Sequence, residues 1–194
     1  MSFIESLLMR TINVDCQTDY CEISSNQCSW CAALFAKNYK KLKSLVGNES
    51  KFKDFYTELL IRASKLRAEY GTILYGENID NRLLLKETGI KPVAFYTKIT
   101  NSDDKFLIML PDDLRDEFYK HIYMPLADLD CVATAPVMIS RHGQSFTIIP
   151  LDPSLVLVLD SHCRQVGIMI KDNMKKYIFN SDGHTHTTLI VCDL

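Results

Sequence analysis

No apolar run in this 194-residue chain approaches the roughly 20 residues that span a bilayer, so no membrane segment is expected. The opening residues, Met-Ser-Phe-Ile-Glu, lack the basic stretch leading into an apolar stretch that marks a secretory signal. An excess of either charge is also missing. Lys and Arg number 22 against 24 Asp and Glu, a net charge of −2. No global field therefore draws the chain to nucleic acid or to an anionic membrane surface. Internal repeats, low-complexity tracts and linkers are absent as well. A single domain over residues 1–194, with one full-sized core and no oligomeric partner, is the expectation.

Cysteine is present in an odd number: Cys16, Cys21, Cys28, Cys31, Cys131, Cys163 and Cys192. An odd count in a chain of this size does not suit a disulfide framework. Mostly free thiols in a reducing compartment are expected, which points to the cytoplasm or nucleus.

Helical spacing dominates the first half. Residues 1–10 suit a short helix, and 11–27 read as a polar loop. A helix begins near Cys28, capped by Ser25 or Asn26, with Cys31, Leu34, Phe35, Leu42 and Leu45 on its apolar positions and Gly47 at its end. Phe52, Phe55, Tyr56, Leu59, Leu60, Ala63 and Leu66 form one face of a second helix that Gly71 closes. Shorter helices are expected at 79–87 and at 112–123, the latter with Leu114, Phe118 and Ile122 inward. Residues 88–110 are hard to place and suit strands, with an exposed turn at 100–105. From about residue 130 the chain turns to Val, Ile, Thr, Tyr and Phe, and strands are expected at 131–140, 144–150, 155–159, 166–171, 176–180 and 186–192. Residues 155–159, LVLVL, are apolar on both faces and suit a buried inner strand. Helices followed by an antiparallel sheet make an α+β fold.

Two features carry chemistry. A cysteine at a helix N-terminus meets unpaired N–H groups and the positive end of the helix dipole, which favour the thiolate. Cys28 is such a residue, although burial in the core is the commoner fate of a cysteine there. The second feature is Asp160-Ser161-His162, directly after the buried strand. Residues i and i+2 of an extended chain share a face, so Asp160 can orient the His162 imidazole; a plain turn is the bland alternative. Upstream of the cysteine, the side-chain amide of Gln17 can donate to an oxyanion beside the Cys28 N–H.

SNQCSWCAALF at 25–35, Gln17 before it, and VLVLDSHCR at 156–164 together resemble the deubiquitinating domain at the front of herpesvirus large tegument proteins and related viral-tegument-like deubiquitinases. The resemblance covers residues 15–36 and 137–170. It implies a papain-like fold, with the helical part packed on the sheet. It also implies ubiquitin or a ubiquitin-like protein as partner, and hydrolysis of the bond after the modifier's C-terminal glycine. Cys28 would be the nucleophile, His162 the base, Asp160 the orienting acid and Gln17 the oxyanion donor, with no cofactor. A viral source would place the activity in the host cell.

Rival readings remain. His142, in Arg141-His142-Gly143, is an alternative base that Asp160 would serve from the neighbouring strand. Cys16-x4-Cys21-x6-Cys28-x2-Cys31 offers four thiols for a zinc-binding interaction module without enzymatic activity. Cys28-Ser29-Trp30-Cys31 has the spacing of a thiol oxidoreductase. His184 and His186 suit a solvated strand edge better than a metal site. The Lys-rich stretch 37–43 reads as a solvated helix face rather than a nucleic-acid contact, and Trp30, Tyr39 and residues 52–56 read as core.

Overall fold

The computed structural model describes residues 7–21, 27–71, 86–98, 105–109, 122–125, 135–141, 144–174, 177 and 187–193. Among them, nine strands form one sheet in which every neighbouring pair runs antiparallel. They are β1 (Leu8–Asn13), β2 (Lys91–Lys98), β3 (Lys105–Met109), β4 (Ile122–Pro125), β5 (Val137–Arg141), β6 (Gln144–Pro150), β7 (Leu155–Leu159), β8 (Gln165–Ile170) and β9 (Thr187–Asp193). Their order across the sheet is β1-β8-β7-β6-β5-β9-β2-β3-β4. The helices are α1 (Cys28–Lys37), α2 (Tyr39–Leu45) and α3 (Glu49–Tyr70). No helix among the described residues is long and apolar enough to cross a membrane.

Helix α1 lies at the centre of the molecule. Cys28 through Ala36 are all buried, as a helix that is apolar on every side requires. One side meets the sheet, where the Thr147 hydroxyl of β6 donates to the Ala32 carbonyl at 2.7 Å. The other meets α3, whose Phe52, Phe55, Tyr56, Leu59, Leu60 and Ala63 are buried. Phe35 and Tyr56 stack across that contact with ring centroids 4.7 Å apart. Asn48 caps α3 by accepting from the Lys51 N–H at 3.1 Å. Gly71 ends α3 at φ 85°, a left-handed angle that costs glycine little. The Gly71 carbonyl in turn accepts from the Trp30 indole at 2.9 Å.

The expected α+β architecture is present, and α3, β6 and β7 stand where the sequence pattern puts them. The LVLVL strand pairs on both sides, with β6 and β8, and its residues 156–159 are buried. Several expectations are corrected. Residues 8–13 form edge strand β1 rather than part of a helix, and the polar stretch after it holds a 3₁₀ turn at Gln17–Asp19. Sheet formation thus draws on the chain's beginning as well as its second half. The helix expected from Cys28 to Gly47 is two helices. At their junction Asn38 turns its side-chain amide back to donate to the Leu34 carbonyl at 2.8 Å, which also accepts from the Asn38 backbone N–H at 3.0 Å. Its N-cap position is Gln27; Ser25 and Asn26 lie outside the described residues. Ile122 and Tyr123 belong to β4, not to a helix. Met174 and Tyr177 are helical where a strand was expected to begin at 176. Most of the expected helices at 79–87 and 112–123 lies outside the described residues, as does the expected turn at 100–105 apart from Lys105, which begins β3.

Candidate active site

Cys28 opens α1 and is 2 % exposed. Burial works to raise its pKa. Against it stand a hydrogen bond with the His162 side chain, another from the Ser145 backbone N–H, the positive charge of His162 and the Ser145 hydroxyl. Together these hold the thiol below its ordinary value. Ser145, near the start of β6, has its own hydroxyl 3.3 Å from that of Ser29. Strand β6 therefore delivers donors to the sulfur in addition to the helix N-terminus.

His162 lies just past the C-terminal end of β7. Its Nδ1 is 2.8 Å from Asp160 Oδ1, which leaves Nε2 for the sulfur. The Asp160 hydrogen bond is the largest influence on the imidazole and the Cys28 hydrogen bond the next; with burial opposing, they push its pKa up to about 10. A thiol moved down beside an imidazole moved up is the electrostatic signature of a thiolate–imidazolium pair. The two groups titrate as a unit, so the shifts belong to the pair.

Asp160 and His162 meet for a different reason from the one their spacing suggests. They do not share the face of an extended strand, because β7 ends at Leu159 and the chain then turns. Asp160 Oδ1 also accepts from the His162 backbone N–H at 3.0 Å, and the Cys163 N–H donates to the Asp160 carbonyl at 3.1 Å. This Asx-type turn folds the histidine back over the aspartate.

Gln17 sits in the 3₁₀ turn after β1 and is 6 % exposed. Its N–H donates to the Ser161 carbonyl at 2.8 Å, and its Oε1 accepts from the Ser161 hydroxyl at 2.8 Å. The two segments are joined at further points. Arg164 grips Asp19 with two guanidinium nitrogens, at 2.9 and 2.7 Å. The Val14 N–H donates to the Arg164 carbonyl at 3.0 Å. The Cys16 thiol lies 3.4 Å from the carbonyls of both Ser161 and His162. The same loop is tied to α3 through Asp15, which accepts from the Tyr20 hydroxyl at 2.6 Å and the Thr57 hydroxyl at 2.9 Å.

The structure thus brings Cys28, His162 and Asp160 into contact and joins Gln17 to the residue between the last two. His142, His184 and His186 lie outside the described residues. The four clustered cysteines do not converge. Cys16 donates towards the 161–162 carbonyls, Cys21 donates to the Gln17 carbonyl at 3.0 Å, and Cys31 is fully buried within α1. Among the described residues no three His, Cys, Asp or Glu side chains stand close enough to share a metal ion. Burial pushes the Cys31 thiol far up, which makes it a poor partner for thiol–disulfide exchange with Cys28. Cys16, Cys21, Cys28, Cys31 and Cys163 are all free.

Sequence reasoning missed Ser145, Ser161 and the Asp19–Arg164 pair. Ser161 was visible only as the middle of Asp-x-His, and Ser145 carried no signal beyond a polar residue at the start of an apolar strand. The Gln27 side-chain amide, fully buried directly before Cys28, has no hydrogen-bond partner among the described residues.

No family model matches the chain, and no curated protein matches it. Among solved structures it is similar to the ubiquitin-specific protease encoded by a murine cytomegalovirus tegument protein, crystallised with a ubiquitin-based suicide substrate. The TM-score is 0.51 at 11 % sequence identity, and the match covers 94 % of this chain and 85 % of that one. At this identity the likeness is one of fold, and it extends over nearly the whole chain.

Proposed function

We propose that this chain is a cysteine protease that hydrolyses the bond after the C-terminal glycine of ubiquitin. The observation that carries the reading is the contact of Cys28, at the N-terminus of a buried helix, with an imidazole held by Asp160. The fold shared with a viral ubiquitin-specific protease supports ubiquitin as the substrate class.

In the resting enzyme the Cys28 sulfur carries the negative charge and His162 the proton. The thiolate attacks the carbonyl carbon of the terminal glycine, and the carbonyl π pair moves onto oxygen. The Cys28 backbone N–H and the Gln17 side-chain amide donate to that oxyanion. Collapse of the tetrahedral intermediate expels the amine, which takes its proton from His162 Nε2 and leaves a thioester on Cys28. Neutral His162 then takes a proton from water as it attacks the thioester. The second collapse releases the ubiquitin carboxylic acid, which loses its proton to solvent, and restores the thiolate–imidazolium pair. Asp160 keeps the ring in one orientation throughout and stabilises its charged form.

A fluorogenic amide at the ubiquitin C-terminus tests this. Turnover is expected for the wild type, with loss in Cys28→Ala and in His162→Ala. Turnover that survives Cys28→Ala would overturn the assignment. Cleavage of a ubiquitin-like modifier in place of ubiquitin would keep the chemistry and change the substrate.

A further inference from the structure

Gln17 can serve an oxyanion only if its amide presents nitrogen, not oxygen, to the substrate. The two ends are nearly identical in shape, so something must choose between them. The buried bond from the Ser161 hydroxyl to Gln17 Oε1, 2.8 Å long, makes that choice. It ties up the acceptor end, which leaves the Nε2 end of the amide as the one to meet a substrate oxygen. The second bond, from the Gln17 N–H to the Ser161 carbonyl, closes a two-point clasp between residues 144 positions apart in the chain.

The hydroxyl has little freedom to do otherwise. Ser161 is 1 % exposed. Its other neighbour is the Cys31 thiol, which burial keeps protonated. A thiol sulfur is a weak acceptor, whereas an amide oxygen is a strong one, so the Ser161 proton goes to Gln17.

We propose that Ser161, the middle residue of Asp160-Ser161-His162, is a positioning residue for the oxyanion donor. Its hydroxyl orients the Gln17 amide with Nε2 towards the substrate carbonyl. One short turn then organises two parts of the reaction: Asp160 sets the imidazole and Ser161 sets the oxyanion donor. The Asp19–Arg164 clamp and the Val14–Arg164 bond hold the two segments as one body, so the base and the oxyanion donor stay in register as substrate enters. This deepens the protease reading above and rests on it for its catalytic meaning.

Two measurements test it. The first needs no activity: ¹⁵N relaxation of the Gln17 side-chain amide in the resting protein. The wild-type amide is expected to be rigid, and Ser161→Ala to leave it mobile while the backbone signals of residues 160–165 persist. An amide already mobile in the wild type, or equally rigid in Ser161→Ala, would overturn the proposal. If Ser161→Ala does not fold, Ser161→Cys, similar in size with a far weaker donor, carries the same comparison with the same two readings. The second is turnover of the ubiquitin amide. Removing an oxyanion donor costs about 10²–10³ in kcat; Ser161→Ala is expected to lower kcat by about tenfold or more, up to that range, with KM unmoved. The same change made in a Gln17→Ala background is expected to have no further effect. An equal loss in both backgrounds would assign Ser161 a merely structural role and refute the proposal. A wild type inactive on every modifier would sink the protease reading, and the relaxation measurement would still decide whether Ser161 orients Gln17.

Discussion

Replacing Asp160 by Asn tests the electrostatics of the site with little change in shape. The amide oxygen can still accept from His162 Nδ1 at the 2.8 Å separation seen for the carboxylate, but the negative charge is gone. In the wild type the imidazole is pushed up to about 10, with Asp160 the leading cause. A raised histidine pKa means that the protonated form, the proton donor to the leaving amine, is present below that pH and lost above it. The alkaline limb of kcat/KM therefore reports His162. The acid limb reports loss of the Cys28 thiolate, which survives to lower pH than in an ordinary thiol. A hydrogen bond to a charged group contributes about 1.5–3 kcal/mol. At about 1.36 kcal/mol per pH unit, losing the charge moves the alkaline limb towards neutral by about one to two pH units. The assay is kcat/KM for a ubiquitin amide measured from acid to strongly alkaline pH, alongside iodoacetamide alkylation of Cys28. Alkylation needs the thiolate but no proton donor, so its rate is expected to keep its alkaline plateau in both proteins. An Asp160→Asn alkaline limb superimposable on the wild type's would refute the claim that Asp160 holds the imidazolium.

Two further outcomes follow from particular side chains. His162→Ala is expected to abolish turnover and to slow Cys28 alkylation at neutral pH, while His142→Ala retains turnover; steady-state rates of the two variants decide between the histidines. Tyr56 is fully buried, and its hydroxyl has no hydrogen-bond partner among the described residues. Because an unsatisfied buried hydroxyl costs about 1–3 kcal/mol, Tyr56→Phe is expected to leave urea-denaturation stability unchanged or raised, with the Phe35 stacking contact kept. A clear loss of stability would mean that the hydroxyl has a partner.

Where a pattern reports burial on one element, the sequence was readable. The α3 face from Phe52 to Ala63 and the LVLVL strand are simple periodicities, and the structure buries those residues. Cys28 was readable because helix starts have local chemistry. The misses have physical causes. Only Ile12 of β1 is buried, since edge strand β1 presents one face to the core and its apolar content is too thin to show a period. Asn38 stands at the break between α1 and α2, where its side-chain amide and its backbone N–H share the Leu34 carbonyl, a local contact that apolar spacing does not register. Asp160 and His162 pair through a turn rather than along a strand, so their contact was expected on the wrong geometric ground. Ser145 and Ser161 escaped notice because their value lies entirely in partners brought from distant parts of the chain. Contacts such as Ser161 with Gln17 exist only once the sheet has closed.

The central claim is that Cys28 attacks the carbonyl at the ubiquitin C-terminus. Ubiquitin bearing a C-terminal electrophile, incubated with the protein and read by intact mass and peptide mapping, tests it most directly. The account predicts a single covalent adduct on Cys28, abolished in Cys28→Ala and strongly slowed in His162→Ala, with Cys16, Cys21, Cys31 and Cys163 unmodified. Folded protein that forms no adduct with ubiquitin or any ubiquitin-like electrophile, or an adduct on another cysteine, would contradict it.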